Sequence, residues 1–588
     1  MRPAARLRRR EVPACDPWPA QVPGLLQRIY AARGAGVLAQ ARPRLADLLP
    51  PDSMKGLDEA AALLADAIAA DRHILVVGDF DCDGATACAV AVRGLRMLGA
   101  RRVSHAVPNR AVHGYGLSPA LVDELAAFAP DVLVTVDHGI ACHEGIAAAR
   151  ARGWRVLVTD HHLPGATLPP ADVIVDPNQP GCGFPSKVLA GVGVVFYVLL
   201  ALRRWLRGSG ALTGPGPDLG HLLDLVAVGT VADLVPLDTN NRALVAAGLR
   251  RLRAGQGCAG LHALIEVARR DPASLTAGDV GYAIGPRLNA AGRLEDMAVG
   301  IECLLTDDPA QARAIAESLD AINRERRAVQ QQMVEEAEAV LSRLTLEPST
   351  QPESLPLALC LHDPGWHPGV VGLVASKIKE RLHRPVVAFA PAEPGGEVLR
   401  GSARSVPGFH IRDALAMVDA RHPGLIERFG GHAMAAGLTL ALDNLARFEA
   451  AFRACAAERL DDDLLRAEIL SDGELAHHQF DRHHAEALRD GGPWGQGFPE
   501  PQFDGEFDVL AWRVVGQQHL KLELGVAGLR LNAIEFNGWD GREPPPRLRI
   551  AFRLEPDDYR GGDAVQLVVT HREAAPAGEP ADRIAGHL

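Results

Sequence analysis

Three carboxylates stand at every second position in Gly78-Asp79-Phe80-Asp81-Cys82-Asp83-Gly84, directly after the apolar run Ile74-Leu75-Val76-Val77. Like charges at that spacing repel unless a cation compensates them, so the string reads as a ligand cluster rather than a solvated acidic loop. Asp137 with His138 in TVDHGI, Asp160-His161-His162 in VTDHH, and Asp224 and Asp233 in DLVAVGTVAD also sit in or just after apolar runs. Asp233, among Val231, Ala232, Leu234 and Val235, needs a partner, because an unpaired buried carboxylate is costly, and a metal is the natural one. These stretches carry enough hard oxygen and imidazole donors for two divalent ions. Oxygen-rich ligation without thiolate favours Mn2+ or Mg2+ over structural zinc. Two ions about 3.5 to 4 Å apart are the usual device for phosphodiester cleavage, which is the reaction this chemistry names.

Taken singly, the strings stay open to other readings. An EF-hand loop counted from Asp79 would need Glu at its twelfth position, where Val90 stands. FDCDG also resembles the nucleophile loop of haloacid dehalogenases, and a lone carboxylate such as Asp137 is often a helix cap.

Residues of this kind need strand ends to hold them. The runs at 74–78, 103–107, 132–136, 156–159 and 172–175 alternate with alanine-rich stretches, which predicts a doubly wound parallel α/β sheet with its ligands beyond the strand ends. Residues 309–345 lack glycine and place Leu319, Ile322, Val329, Met333, Val340 and Leu344 at helical spacing, predicting a long connecting helix. A second α/β unit is expected after the break LEPSTQPESLP. Beyond the acidic DDDLL, the runs LKLEL, LRLNAIEF, LRIAFRL and VQLVV predict a small barrel or sandwich. The expected organisation is a basic segment over 1–50, a catalytic domain over 51–308, the helix over 309–345, a second α/β domain over 346–458, a β-barrel over 459–575 and a tail over 576–588.

The 588 residues suggest three or four domains, and 47% hydrophobic with 23% charged residues is an ordinary globular composition. Nine scattered cysteines without a CxxC argue against a disulfide framework or structural zinc, and for a reducing cytoplasm. The longest apolar run, 188–202, is too short to span a bilayer, and no signal-peptide pattern follows the basic start, so neither membrane nor export is expected.

GDFDCDG, TVDHGI, DHH and GTVADLVP, in this order and spacing, resemble the motifs of the DHH phosphoesterase superfamily. PNRAVHGYGLS (108–118), DPNQPGCGFPSKVLAGVGVVF (176–196), GPRLNAAGRLEDM (285–297), WHPGVVGLVASKIKERLHRPVV (366–387), GSARSVPGFHIRDAL (401–415), GGHAMAAG (430–437) and GPWGQGFPEPQFDGEF (491–507) extend the resemblance to its RecJ family of bacterial single-strand-specific 5′ to 3′ exonucleases, over residues 50 to 575. The resemblance implies a DHH domain, a DHH-associated domain and a C-terminal OB-fold barrel.

Carried over by position, it implies that Asp81, Asp83, Asp137, His161 and Asp233 hold two cations with Asp137 bridging, and that Asp79 binds directly or one remove away. Asp160 would orient an imidazole and His162 would contact the scissile phosphate. His138 departs from the Asn or Cys expected there and reads as a space-filling residue. Ser402, Arg404, Ser405 and His432 would hold phosphate or sugar. Arg110, Arg287, Asn289 and Arg293 would grip the strand near its 5′ end, and Tyr115 or His113 would stack on a base. Lys521, one of five lysines against 56 arginines, would serve the barrel. His477, His478, His483 and His484 read as a solvated helix face. The implied activity is hydrolysis of single-stranded DNA to 5′ mononucleotides in recombination and repair, by a monomer that works with single-strand-binding protein and a helicase. The alternatives are a DHH phosphatase on short oligonucleotides and a non-catalytic DNA-binding scaffold.

The net charge of −12 does not exclude nucleic acid once its pattern is considered. Residues 1–50 carry nine arginines against three acids, whereas 301–350 and 451–500 are acidic, and residues 51–100 contain the three motif aspartates. Local basic surface for phosphates, and salt-sensitive binding, are therefore expected.

Overall fold

All four residues of β1 (Ile74–Val77) are buried, as a strand must be when helices cover both faces of its sheet. The computed structural model describes residues 5–15, 18–109, 113, 116–345, 356–461, 463–516 and 518–575. Arg110 and Tyr115 lie outside the described residues, as do the break at 346–355 and the tail at 576–588. The chain divides into two compact units, one of Arg9–Asp320 with Leu470–Leu588, the other of Ala321–Ile469 with the residues up to Arg8.

The first unit holds the expected parallel sheet. After β1 come α1 (Cys82–Met97), β2 (Val103–Ala106), β3 (Val132–Val136), β4 (Arg155–Thr159) and β5 (Val173–Val175). Their order is β2-β1-β3-β4-β5, all parallel. Val77 pairs with Thr135 and Val136 with Thr159, so the residues that follow β1, β3 and β4 emerge side by side. The apolar run at 188–202 lies largely in α2 (Gly191–Gly208), a core helix, and α3 (Leu223–Ala232) is buried along Leu223–Thr230. Next come α4 (Thr239–Arg253), a π-helical turn at Val280–Ile284 and α5 (Gly285–Leu294). Among the described residues no helix is long and apolar enough to cross a membrane.

The N-terminal stretch is tied into this unit instead of forming a free basic arm. Tyr30 stacks on Trp494 and Phe498, Arg33 forms a buried pair with Asp472 at 2.7 Å, and Arg9 reaches Asp504 at 2.8 Å.

The unit boundary falls inside α6 (Pro309–Thr345), a 37-residue helix. The second unit contains β6 (Leu359–His362), α7 (Val371–Leu382), β7 (Val386–Pro391), β8 (Val398–Arg404), β9 (Arg428–Gly431) and β10 (Ala435–Ala441) in the order β9-β10-β8-β7-β6. Phe389, Phe448 and Phe452 centre its own core.

The C-terminal strands of the first unit close into a barrel of β11 (Phe503–Val515), β12 (His519–Val526), β13 (Leu529–Glu535), β14 (Arg547–Pro556) and β15 (Val565–Ala574), in the order β11-β12-β13-β15-β14. The β13/β15 pair is parallel and the rest antiparallel, the connectivity of an OB fold. Alternation along β12 turns Leu520, Leu522 and Leu524 inward and leaves Lys521 and Glu523 half-exposed.

Candidate metal centre

Each acidic side chain is aimed by a backbone feature at the end of a strand or helix. Asp81 caps α1, its Oδ1 accepting from Gly84 N at 3.0 Å, and Asp79 Oδ1 accepts from Phe80 N at 2.8 Å. Asp83, buried in the first turn of α1, accepts from Gly191 N at 2.6 Å and Val192 N at 3.0 Å at the start of α2, where the helix dipole favours an anion. Asp137 follows β3 with φ +66°, a left-handed conformation that aspartate tolerates better than most non-glycine residues. Asp233 ends α3.

These residues converge. Donor atoms of Asp79, Asp81 and Asp137 lie within 4.8 Å of one another, as do those of Asp83, His161 and Asp233, and those of Asp137, His161 and His162. His161 Nε2 is 3.1 Å from Asp137 Oδ1 and 3.6 Å from Asp233 Oδ2. Asp137 thus belongs to two of the three groups, each with a different set of neighbours.

The electrostatics show whether cations fit. Burial, then the charge of Asp81, pushes Asp83 up to about 7. Burial followed by the neighbouring carboxylates raises Asp137 and Asp233 well above the usual range. Asp137 Oδ1 is buried and has no hydrogen-bond partner among the described residues. Buried carboxylates crowded around oxygen and imidazole donors, with no thiolate among them, fit hard divalent cations, whose charge removes the repulsion.

Asp160 belongs to none of these groups among the described residues. Its Oδ1 accepts from His161 N at 2.7 Å and lies 2.7 Å from His162 Nδ1, while Oδ2 accepts from Ile140 N at 2.9 Å. Burial opposes protonation of His162, but the Asp160 hydrogen bond and charge outweigh it and hold the imidazole at about 9. Asp160 itself is held well below the usual carboxylate range despite burial, by the same pair. His138 is buried and donates Nε2–H to Val77 O at 3.0 Å, which ties the turn after β3 to the end of β1. Burial keeps it neutral, down to about 4.

Two glycines have to be glycines here. A Cβ on Gly191 would lie 2.5 Å from Asp137 Oδ1 and 2.8 Å from its Cα, and one on Gly292 would lie 1.8 Å from Phe80 O. Gly191→Ala is therefore expected to displace Asp137 and slow hydrolysis by at least about a hundredfold. Steady-state kinetics alongside a thermal melt would check this, and a wild-type rate would show that the close approach is not required.

Several residues expected to grip the strand are engaged within the protein. The Arg287 guanidinium is buried, donating from Nε to Asp320 Oδ1 at 2.9 Å and to Ala283 O, so it braces α5 against α6. Asn289 Oδ1 accepts from Cys82 N at 2.8 Å, satisfying the start of α1. Arg293 is half-buried. Ser405 is buried, with Oγ donating to Phe409 O at 2.5 Å in a local turn. His113 is held at 2.9 Å from Glu124 Oε1, with its side chain 6% exposed. The other residues of the second unit do gather. β8 pairs with β10 so that Ser402 faces Gly437 and Arg404 faces Ala435, which brings GSARS alongside GGHAMAAG. Arg404 donates to Ser402 Oγ at 2.9 Å and Ser376 Oγ at 3.1 Å, and His432 is exposed in the turn before β10. In the barrel, Lys521 lies opposite Arg513, while Trp512 pairs with the inward Leu522 and stacks on Trp539 at 5.4 Å.

Sequence reasoning missed Asp176 and Asn178. Asp176 follows β5 as the motif aspartates follow theirs, is fully buried, and is raised to about 8 chiefly by burial. Asn178 Nδ2 donates to His161 O at 2.6 Å. The strand-end rule that found Asp137 and Asp160 would have found Asp176 as well.

Comparison with known proteins agrees with this architecture. The DHH family N-terminal domain matches residues 73–230, the DHHA1 domain 355–458 and the RecJ OB domain 471–571. The single-stranded-DNA-specific exonucleases RecJ of Dickeya dadantii and Escherichia coli K12 are 48% and 47% identical to this chain, each alignment covering 97% of it and 99% of the relative. The crystal structure of RecJ in complex with Mn2+ from Thermus thermophilus superposes with a TM-score of 0.77 at 33% identity, over 95% of this chain and 77% of that one. With three matching domains in the same order and near-complete alignment at almost half identity, the chain belongs to the RecJ family.

Proposed function

We propose that this protein is a metal-dependent exonuclease that digests single-stranded DNA from the 5′ end to 5′ mononucleotides and serves recombination and repair in the cytoplasm. The observation that carries the reading is the convergence of five buried or half-buried aspartates and two histidines at the strand ends of a RecJ-family chain. The names of its relatives support the substrate, and the T. thermophilus structures with Mn2+ and with Mg2+ support the cofactor. Polarity, the mononucleotide product, a monomeric state, and single-strand-binding protein and a helicase as partners are proposed on the family resemblance alone.

Asp79, Asp81, Asp83, Asp137, His161 and Asp233 would hold two divalent cations, Mn2+ or Mg2+, with Asp137 serving both. When bound, such ions neutralise phosphate charge and lower the pKa of the attacking water. The chain's own groups do the positioning. His162, cationic through Asp160, donates a charge-assisted hydrogen bond to a non-bridging oxygen of the scissile phosphate. Asp160 spends its oxygens on His162 and on backbone N–H groups, which fixes the ring. Ser402, Arg404 and His432 offer donors for a phosphate or sugar, and Arg293 a further cation. In the barrel, Lys521 and the half-exposed Trp512 suit a phosphate and a stacked base.

Digestion of 5′- and 3′-labelled oligonucleotides as single strand, duplex and RNA, with Mn2+ or with EDTA, tests the reading. The expected result is mononucleotides released from the 5′ end of single-stranded DNA only when Mn2+ is present. Binding without cleavage would instead identify a scaffold, and cleavage confined to di- and trinucleotides a small-substrate phosphatase.

A further inference from the structure

Leu234 sits where a leucine has no structural reason to be. It follows the candidate ligand Asp233, the C-cap of α3, stands in the left-handed region at φ +62°, and is 71% exposed. The left-handed position after a helix C-cap is ordinarily glycine's, because a Cβ there crowds the neighbouring carbonyl. The turn is closed by backbone alone, with Leu234 N donating to Val231 O at 3.3 Å. The side chain therefore brings strain and exposed apolar surface without contributing to the closure. Strain of this kind persists at functional sites.

A single exposed leucine is ordinary. Here a second one accompanies it, since Leu163 directly follows His162 and is 65% exposed. His161 and Asp233 approach to 3.6 Å, so both leucines are neighbours in sequence of the same small cluster. The cluster itself is carboxylate and imidazole, which suits a phosphodiester. What flanks a phosphodiester in a strand is deoxyribose and base, the apolar parts of a nucleotide.

We propose that Leu234, with Leu163, contacts the sugar and base next to the scissile phosphate and so favours 2′-deoxy strands. The inference rests on the proposed single-strand exonuclease function and adds a substrate-contacting residue to it. Aliphatic carbon packs well against C2′ of deoxyribose, whereas a ribose hydroxyl pressed against it loses water without gaining a partner.

Leu234→Gly separates this role from a structural one, because glycine relieves the strained φ. The expected result is a fall of about tenfold in kcat/KM on a decamer oligodeoxynucleotide. The inhibition constant of the matching oligoribonucleotide, used as a competitor, should change less than twofold. Mn2+ affinity by isothermal titration calorimetry should stay within twofold, and the melting temperature should be unchanged or higher. An unchanged kcat/KM on DNA overturns the inference. So does a loss matched by weaker Mn2+ binding, which would make Leu234 a support for Asp233. Wild-type protein inactive on single-stranded DNA overturns the proposed function itself, and this inference with it.

Discussion

Asp137→Asn is expected to lower hydrolysis of single-stranded DNA by at least about a thousandfold while raising the melting temperature of the metal-free protein. Asp137 is the carboxylate common to two donor groups, its Oδ1 3.1 Å from His161 Nε2 and without a hydrogen bond among the described residues. Asparagine keeps the shape and is among the residues that best tolerate φ +66°, so the backbone after β3 should be preserved where alanine would add strain. What the substitution removes is a carboxyl that, without cations, must either add a like charge to a buried cluster or take up a proton, and either is destabilising. Loss of activity should therefore accompany a gain in stability, opposite to the usual effect of a core substitution. Calorimetric melts with EDTA and with Mn2+, run beside the nuclease assay, check both halves. Full activity, or an unchanged Mn2+-induced rise in melting temperature, would sink the assignment.

The second large effect is in pH. Asp83 rises from 3.8 to about 7 on folding, and Asp137 and Asp233 also rise, all through burial first. Between about pH 4 and 7 the metal-free native state therefore holds protons that the unfolded chain has released, and its stability falls as pH rises through that window. Asp176, raised to about 8, and His162, raised to about 9, carry the decline past neutrality. A tenfold gain in proton affinity on folding corresponds to about 1.4 kcal/mol, and the buried His138, lowered to about 4, offsets part of the decline below about pH 6.5 because there the unfolded chain holds its proton. Cations compete with those protons. With saturating Mn2+ the melting temperature should rise with pH over the same window, because deprotonated carboxylates bind the ion. Melts in EDTA from about pH 5 to 8 that were flat, or rose, would falsify this account of the cluster.

Much of the fold could be read because its physics is local. Buried parallel strands show as β-branched runs, and ILVV, VLVTV and VLVT became β1, β3 and most of β4. The alternation in HLKLEL placed three leucines inside a closed barrel. The carboxylates could be found for the same reason, since charges directly after apolar strands are costly wherever the strands pair. The arginines show where such reasoning stops. Arg287, expected to grip the strand, is a buried partner of Asp320, and the N-terminal Arg9 and Arg33 are paired with Asp504 and Asp472. An arginine's role depends on which carboxylate the fold brings to it, often hundreds of residues away, and no local pattern encodes that distance.

The sequence by itself determined the family and the layered sheet and supplied the strand-end donors, because donor type and strand-end position are properties of short segments, whereas its pattern left the C-terminal strands open between barrel and sandwich. Only the tertiary structure decided how those ligands group, which imidazole Asp160 holds, and that Asn289 and Ser405 bond within the protein. It also revealed Leu234 as a strained, exposed neighbour of the cluster. The physical reason is range: backbone propensity and burial act over a few residues, whereas a cation site and its rim are assembled by register and packing between segments far apart in the chain.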